Sequence, residues 1–302
     1  MMKRKGTGPD GLVIVDKPEG ITSHGVVARL RRLAGTRKVG HAGTLDPMAT
    51  GVLVIGVERA TRLLGHLMLT AKTYEATIRL GQSTITDDRE GEVTASMPAD
   101  AVTRAAIDEQ VALLTGEIMQ QPSKVSAIKI DGKRSYHRVR EGEEFELPAR
   151  PTTVYSFTVH ELRQAVAEDG TPVIDLDVTV ECSSGTYIRA LARDLGGALG
   201  VGGHLTALRR TKVGPYGVES AHTLEQLEEQ LAVLPIGEAA AAAFPRWDIE
   251  ADDARLLSTG ARLKAPGLGV AGPIAVFGPE EQFLALVEEK DGQARPVAVF
   301  VG

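Results

Sequence analysis

Cysteine is almost missing: Cys182 is the one thiol in 302 residues. A single thiol cannot build an intramolecular disulfide framework or a cysteine-rich zinc site, and its scarcity fits a reducing cytosol. Other metal patterns are equally thin. The seven histidines are scattered, with no HExxH and no His/Cys pair at ligand spacing. No GxxxxGKS/T loop and no strand–GxGxxG–helix turn is there to cradle a nucleotide phosphate. No GxSxG elbow presents a serine. The expectation is a protein with no metal and no cofactor. Long apolar runs are also lacking. No stretch reaches the roughly 18 residues of a membrane span. The basic start "MMKRKGTGPDG" leads into no signal-peptide core. A cytoplasmic location without membrane attachment is expected.

Net charge is −6, which taken whole argues against a nucleic-acid binder. The distribution says otherwise. Residues 216–302 hold 6 Lys/Arg and 14 Asp/Glu, whereas residues 1–215 hold 28 against 26. Residues 1–40 carry nine basic and three acidic side chains. Residues 121–140 carry Lys124, Lys129, Lys133, Arg134, Arg138 and Arg140 against Asp131 alone. Local patches of this kind can hold a polyanion, because screening makes distant charges count little. Any single run also reads as a solvated face.

The length suggests two domains. "GLVIVDKP" reads as a buried strand ending at Pro18, and Thr22 or Ser23 caps a helix with Val26, Val27, Leu30 and Leu33 on one face. Gly51–Val57 is a strand, and 60–69 a helix. "KTYEATIRLG" alternates as a half-buried strand. "STITDDREGEV" reads as a polar loop, and 105–114 as a helix. The basic insertion, about 119–150, reads as a strand, an Asp-Gly turn and a short helix. "TTVYSFTVHEL" and "PVIDLDVTVEC" form a hairpin. "SGTYIRALARDLGGALG" is a helix, and "HLTALRRTKVG" another strand. The alanine-rich "GEAAAAAFPRW" marks a boundary, followed by a small β-rich module. The fold class is therefore α+β, with domains at 1–240 and 246–302.

With redox, metal and nucleotide chemistry unsupported, carboxylates remain. Asp46 sits in "GHAGTLDPMATGVLVIG". Pro47 pushes it towards an extended backbone, and Gly43 permits unusual dihedrals nearby. The loop can present a carboxylate at a cleft, or Asp46 can simply cap a turn. Arg189 reads as a helix charge. Tyr74 reads as a core-facing aromatic, and Cys182 as a buried small side chain.

"DKPEGITS", "GHAGTLDPMATGVLVIG", "KTYEATIRLG" and "SSGTYIRALARDLG" resemble, in order, the motifs of the TruB family of tRNA pseudouridine synthases. The insertion "QPSKVSAIKIDGKRSYHRVREG" resembles that family's RNA-gripping insertion, and the last segment its PUA-like domain. The resemblance implies a mixed, largely antiparallel sheet flanked by helices. It implies an isomerase that converts uridine 55 in the tRNA T-loop to pseudouridine by flipping the nucleotide out. Asp46 matches the catalytic aspartate, as nucleophile or as base on the ribose. Arg189 matches the arginine that pairs with it, and Tyr74 the tyrosine that stacks on the base. Tyr187 and Leu208 match residues lining the base pocket. His41 matches the residue that fills the gap left by the flipped nucleotide, and Lys17 and Pro18 a segment bordering the site. RNA-backbone contacts are expected from Lys124, Lys129, Lys133, Arg134, Arg209 and Arg210. The expected form is a monomer acting on tRNA without guide RNA. A non-catalytic tRNA-binding or folding helper of the same fold is the alternative.

Overall fold

A computed structural model describes residues 8–123, 129–130, 133–134 and 147–301. In chain order the elements are β1 (Gly11–Lys17), α1 (Ser23–Leu33), β2 (Val39–His41), β3 (Thr50–Val57), a 3-10 turn (Glu58–Arg62) and α2 (Leu64–Leu67). Then come β4 (Lys72–Leu80), β5 (Gln82–Thr84), β6 (Val93–Ser96), α3 (Arg104–Leu113), β7 (Gly116–Gln120), β8 (Lys129–Ile130) and β9 (Lys133–Arg134). The long strands β10 (Arg150–Val166) and β11 (Pro172–Cys182) precede α4 (Ile188–Ala198), β12 (Gly203–Val213), β13 (Tyr216–Gly217) and α5 (Leu224–Glu229). The chain ends with β14 (Leu234–Pro235), α6 (Ile236–Ala243), β15 (Arg246–Asp248), α7 (Ala251–Ser258), β16 (Leu263–Lys264), β17 (Ile274–Phe277), β18 (Phe283–Lys290) and β19 (Gln293–Val299).

These elements fall into two units. The first comprises the described residues within 8–47, 51–69 and 213–301. β1 pairs antiparallel with β14 and β3, and β3 with β2. Every residue of β1 and β3 except Asp16 and Thr50 is buried, as their continuous Val/Ile/Leu runs require. Thr22 caps α1 by accepting the Gly25 N–H at 3.0 Å, and Val26, Val27 and Leu30 face inward. A helix over 60–69 gives way to the 3-10 turn and the short α2. Asp10 accepts the Ala60 N–H at 3.2 Å, and Arg59 donates to the Phe300 carbonyl at 2.6 Å. Those contacts bend the segment so that Leu63, Leu64 and Leu67 reach the core.

The C-terminal β runs form a five-stranded sheet in the order β15–β17–β18–β19–β16. Within the same unit the alanine tract is helix α6. Ala239 and Ala240 are fully buried in one cluster with Leu12, Val54, Phe277, Phe283 and Phe300. Alanines leave room there for aromatic rings. Ile249, Leu257, Ile274 and Leu284 belong to a second, smaller cluster.

The second unit comprises the described residues within 48–50 and 70–212. Its ladder runs β12–β4–β11–β10–β7. The hairpin forms as expected, β10 pairing with β11 antiparallel from Val154–Cys182 to Val166–Pro172. On β4, Tyr74, Ala76, Ile78 and Leu80 are buried and Glu75 is exposed, following the period of two. Most of the stretch read as a polar loop, residues 85–92, is the connection between β5 and β6, whose strands pair as a short ribbon. The fold is thus α+β, largely antiparallel and flanked by helices, with a small β sheet at the C-terminal end.

Candidate active site

The Asp46 loop is built by its neighbours. Ser23, the buried first residue of α1, donates to the Leu45 carbonyl and accepts the Leu45 N–H, both at 2.9 Å. On the other side, the Pro47 carbonyl accepts from the Gly20 N–H at 2.9 Å and from Lys17 Nζ at 3.2 Å. Lys17 is completely buried, and its ammonium also donates to the Pro18 and Ile21 carbonyls at 2.9 and 2.8 Å. A buried ammonium is costly unless its donors are satisfied; here three carbonyls receive it. Pro18 is exposed at the end of β1. Gly43 takes φ +90°, a conformation that favours glycine. Leu45 and Met48 are buried while Asp46 between them is half-buried. His41 ends β2 and packs edge-on against His24, with ring centroids 5.5 Å apart.

In the second unit, Arg189 lies in the first turn of α4 and is 5 % exposed. Its Nη1 donates to the Thr86 carbonyl at 2.7 Å and pairs with Asp88 Oδ2 at 3.3 Å. Asp88 is 2 % exposed. Its Oδ1 also accepts from the Thr86 hydroxyl at 2.6 Å and from the Glu90 N–H at 3.0 Å. These donors hold the buried carboxylate in one orientation. Sequence reasoning missed Asp88 because "STITDDREGEV" reads as a solvated loop. The signal was there in two adjacent acids directly after Thr86, but only the closure of the connection turns one of them inward.

Tyr187 precedes α4, and its backbone is held at both polar groups. Gln120 accepts the Tyr187 N–H at 2.8 Å and donates to its carbonyl at 3.0 Å. Gly185, at φ +87°, makes the turn into this segment. Tyr74 and Leu208 are buried on β4 and β12, at 7 % and 8 % exposure. Lys72 shares the face of Tyr74 and donates to the Thr70 carbonyl at 2.7 Å. Burial, then the nearby Arg210, bring its ammonium down to about 8, with Cys182 acting weakly the other way. Burial pushes the Cys182 thiol up to about 11.

The expected RNA-backbone residues divide. Arg209 is half-buried and donates to the Thr50 hydroxyl at 3.3 Å. Arg210, one step along β12, is 1 % exposed and therefore offers no solvent-facing cation. Strand alternation sends these neighbours to opposite faces. Lys129 lies in β8, and Lys133 and Arg134 in β9, two short strands that pair with each other. Lys124 lies outside the described residues. Asp46, His41, Lys17 and Pro18 belong to the first unit, and Tyr74, Tyr187, Arg189, Leu208, Arg209 and Arg210 to the second. Among the described residues, no three His, Cys, Asp or Glu side chains gather to hold a metal ion.

The fold is shared with chains from H/ACA ribonucleoprotein structures. One is the structure of an H/ACA RNP bound to a substrate RNA containing 2′-deoxyuridine. It matches with TM-score 0.70 and 25 % identity over 100 % of this chain and 92 % of that one. Another is the archaeal box H/ACA sRNP Nop10-Cbf5 complex, with TM-score 0.66 and 27 % identity over 97 % and 85 %. At the level of sequence, residues 31–188 match the TruB family pseudouridylate synthase N-terminal domain. Residues 189–238 match the tRNA pseudouridylate synthase B C-terminal domain, and 244–301 the tRNA pseudouridine synthase II C-terminal domain. The tRNA pseudouridine synthase B of Streptomyces griseus subsp. griseus is 68 % identical over 99 % of this chain and 100 % of its own length. Those of Arthrobacter sp. and Thermobifida fusca are 60 % and 58 % identical, over 96 % and 97 % of this chain and 96 % and 99 % of their own lengths. The chain belongs to the TruB family of pseudouridylate synthases.

Proposed function

We propose that this chain is a stand-alone tRNA pseudouridine synthase acting on uridine 55 of the T-loop. The observation that supports the reading is the identity, over essentially the whole chain, with proteins named tRNA pseudouridine synthase B; the choice of uridine 55 follows from the motif resemblance. The matching motifs retain Asp46, Tyr74 and Arg189. The reaction is an isomerisation. The C1′–N1 glycosidic bond breaks, the uracil turns, a C1′–C5 bond forms, and the C5 proton leaves as N1 gains one. No electrons are exchanged with an external reagent.

Asp46 is the carboxylate proposed to act, either as nucleophile or as base on the ribose. Held by its neighbours' backbone, it needs little reorganisation as the reaction proceeds. Arg189 is proposed to favour its charged form. Asp88, through its ion pair with Arg189, sets the guanidinium's orientation. Tyr74, Tyr187 and Leu208 supply apolar surface for the extruded uracil, and His41 fills the gap in the RNA stack. Extrusion costs a few kcal/mol in unstacking, which stacking and phosphate contacts offset. Arg209 and the basic insertion are assigned to phosphates, while the buried Arg210 is assigned a supporting role inside the fold. Residues 1–240 are proposed as the catalytic domain and 246–302 as a PUA-like domain. The working form is taken to be a cytoplasmic monomer.

The test is incubation of the purified chain with tRNA and no other RNA or protein, followed by modification mapping. A nucleoside of unchanged mass and altered retention at position 55 is expected. Absence of product on a good substrate overturns the reading, and activity only with a guide RNA replaces it by a guide-dependent one.

A further inference from the structure

One turn beyond Arg189 on α4, Arg193 gathers three segments. Its Nη1 meets Asp87 Oδ2 at 3.2 Å, its Nε donates to Asp194 Oδ1 at 2.9 Å, and its Nη2 donates to the Gln121 carbonyl at 2.7 Å. Residues four apart share a helix face, so the two arginines are neighbours. Asp87 and Asp88 receive them in turn. Consecutive residues of an extended chain point to opposite sides; here Asp87 takes φ +59°. That left-handed conformation disfavours most side chains, and Asp and Asn tolerate it better than others. The kink lets both carboxylates meet α4. The Asp87 carbonyl in turn accepts the Leu205 N–H at 3.1 Å, which fixes the kink to β12.

The Gln121 carbonyl adds a third connection. Gln120 already grips the backbone of Tyr187. The chain leaving β7 is therefore tied to α4 at two successive residues. An isolated, partly exposed Arg–Asp pair contributes little by itself. What distinguishes Arg193 is convergence, since one guanidinium connects the Asp87–Asp88 turn, the end of β7 and the helix that bears Arg189.

We propose that Arg193 is a positioning residue that locks the Asp87–Asp88 turn and the end of β7 onto α4, so that Arg189 is presented to the reaction in one orientation. The proposal rests on the function argued above. It assigns Arg193 no contact with RNA, so its loss acts on the chemical step and leaves binding alone.

The experiment compares wild type with R193Q, R193K, D87N and the double variant D87N/R193Q. Single-turnover pseudouridine formation at saturating tRNA, tRNA Kd by filter binding and thermal midpoint are measured for each. R193Q and D87N are expected to slow the single-turnover rate about tenfold with Kd unchanged within about twofold. The double variant is expected to be no slower than R193Q alone, because R193Q already breaks the one connection that D87N breaks. R193K restores charge and one donor, and is expected to recover part of the rate. D87N retains the side chain's shape and its tolerance of the kink, so it remains informative if R193Q does not fold. Rates equal to wild type, a loss confined to Kd, or losses that multiply in the double variant overturn the proposal. So does a rate loss that disappears once the folded fraction is taken into account. A wild type that forms no pseudouridine removes the proposed function and this inference together, whereas an active wild type with unaffected variants removes this inference alone.

Discussion

Four hydrogen bonds hold the residues on either side of Asp46: two between Ser23 and Leu45, and one each from Gly20 and Lys17 to Pro47. The aspartate is thus placed by its backbone, and Asp46→Asn should leave the loop unchanged. We predict that D46N binds tRNA like wild type and loses about a thousandfold or more in pseudouridine formation. Substantial residual activity in a discontinuous product assay removes Asp46 from the reaction. Lys72 makes a different prediction. Its folded value of about 8 lies below its ordinary 10.5. Between those values the unfolded chain holds a proton that the folded chain lacks, so stability rises with pH. Cys182, raised from 9.0 to about 11, acts in the opposite sense, and its contribution is lost as pH rises through that range. In urea titrations, the stability of wild type relative to K72M should climb from pH 8 to 10.5, and that of wild type relative to C182A should fall from pH 9 to 11. A flat difference for K72M contradicts the assigned cause.

α4 carries Arg189 and Arg193, and its C-terminal end touches β12 through glycines. A Cβ built on Gly196 would lie 2.1 Å from the Gly202 carbonyl carbon, and one on Gly203 would lie 2.4 Å from the Ala192 carbonyl oxygen. Those obstacles are backbone, so neither can turn aside. Gly197, the next residue, has nothing within 4 Å of such a Cβ. Paired substitutions separate close approach from helix propensity. G196A should destabilise by about 1–3 kcal/mol or more through overpacking and should slow the reaction by shifting α4. G197A should be neutral, or stabilising by about 0.5–1 kcal/mol, because alanine favours helix over glycine. Urea midpoints decide between them, and equal effects at the two positions would mean that the close approach does not constrain α4.

Over the whole molecule, acidic and basic regions separate along the chain. The last 87 residues, 216–302, are strongly acidic, while the insertion and the first forty residues are basic. Affinity for tRNA should therefore fall steeply with salt despite the net charge of −6. Replacing Lys133 and Arg134 with alanine should reduce the slope of log K against log salt by roughly one per lost phosphate contact. An unchanged slope makes the insertion a solvated surface. The C-terminal segment has a further, mechanical role. Phe277, Phe283, Leu286 and Phe300 share a cluster with Leu12, Ile14 and Val54. Large side chains of this kind contribute about 1.5–3 kcal/mol each on burial, against a total stability of about 5–15 kcal/mol. Ending the chain at Pro245 should abolish the cooperative thermal transition seen by circular dichroism. A truncated chain that melts like wild type would show that the cluster is dispensable.

Local order was readable directly. Alternation exposed the faces of β4 and β11, the Thr22 cap opened α1, and the run after Thr50 announced a buried strand. These follow from neighbours a few residues apart, and side-chain periodicity records them. The family motifs likewise nominated Asp46, Tyr74 and Arg189 as candidates. Other features depend on groups distant in the chain. Asp88 is buried against Arg189, 101 positions later, and a polar loop in one dimension becomes a closed turn only when α4 arrives. Arg210 looked like a surface cation beside Arg209, until the ladder buried one side of β12. The alanines looked like a linker because small side chains carry no period of their own, and three of the aromatic rings in their cluster, Phe277, Phe283 and Phe300, lie some forty to sixty positions on. Short-range pattern is written along the chain, whereas burial of a charge is a property of whichever distant partner closes over it.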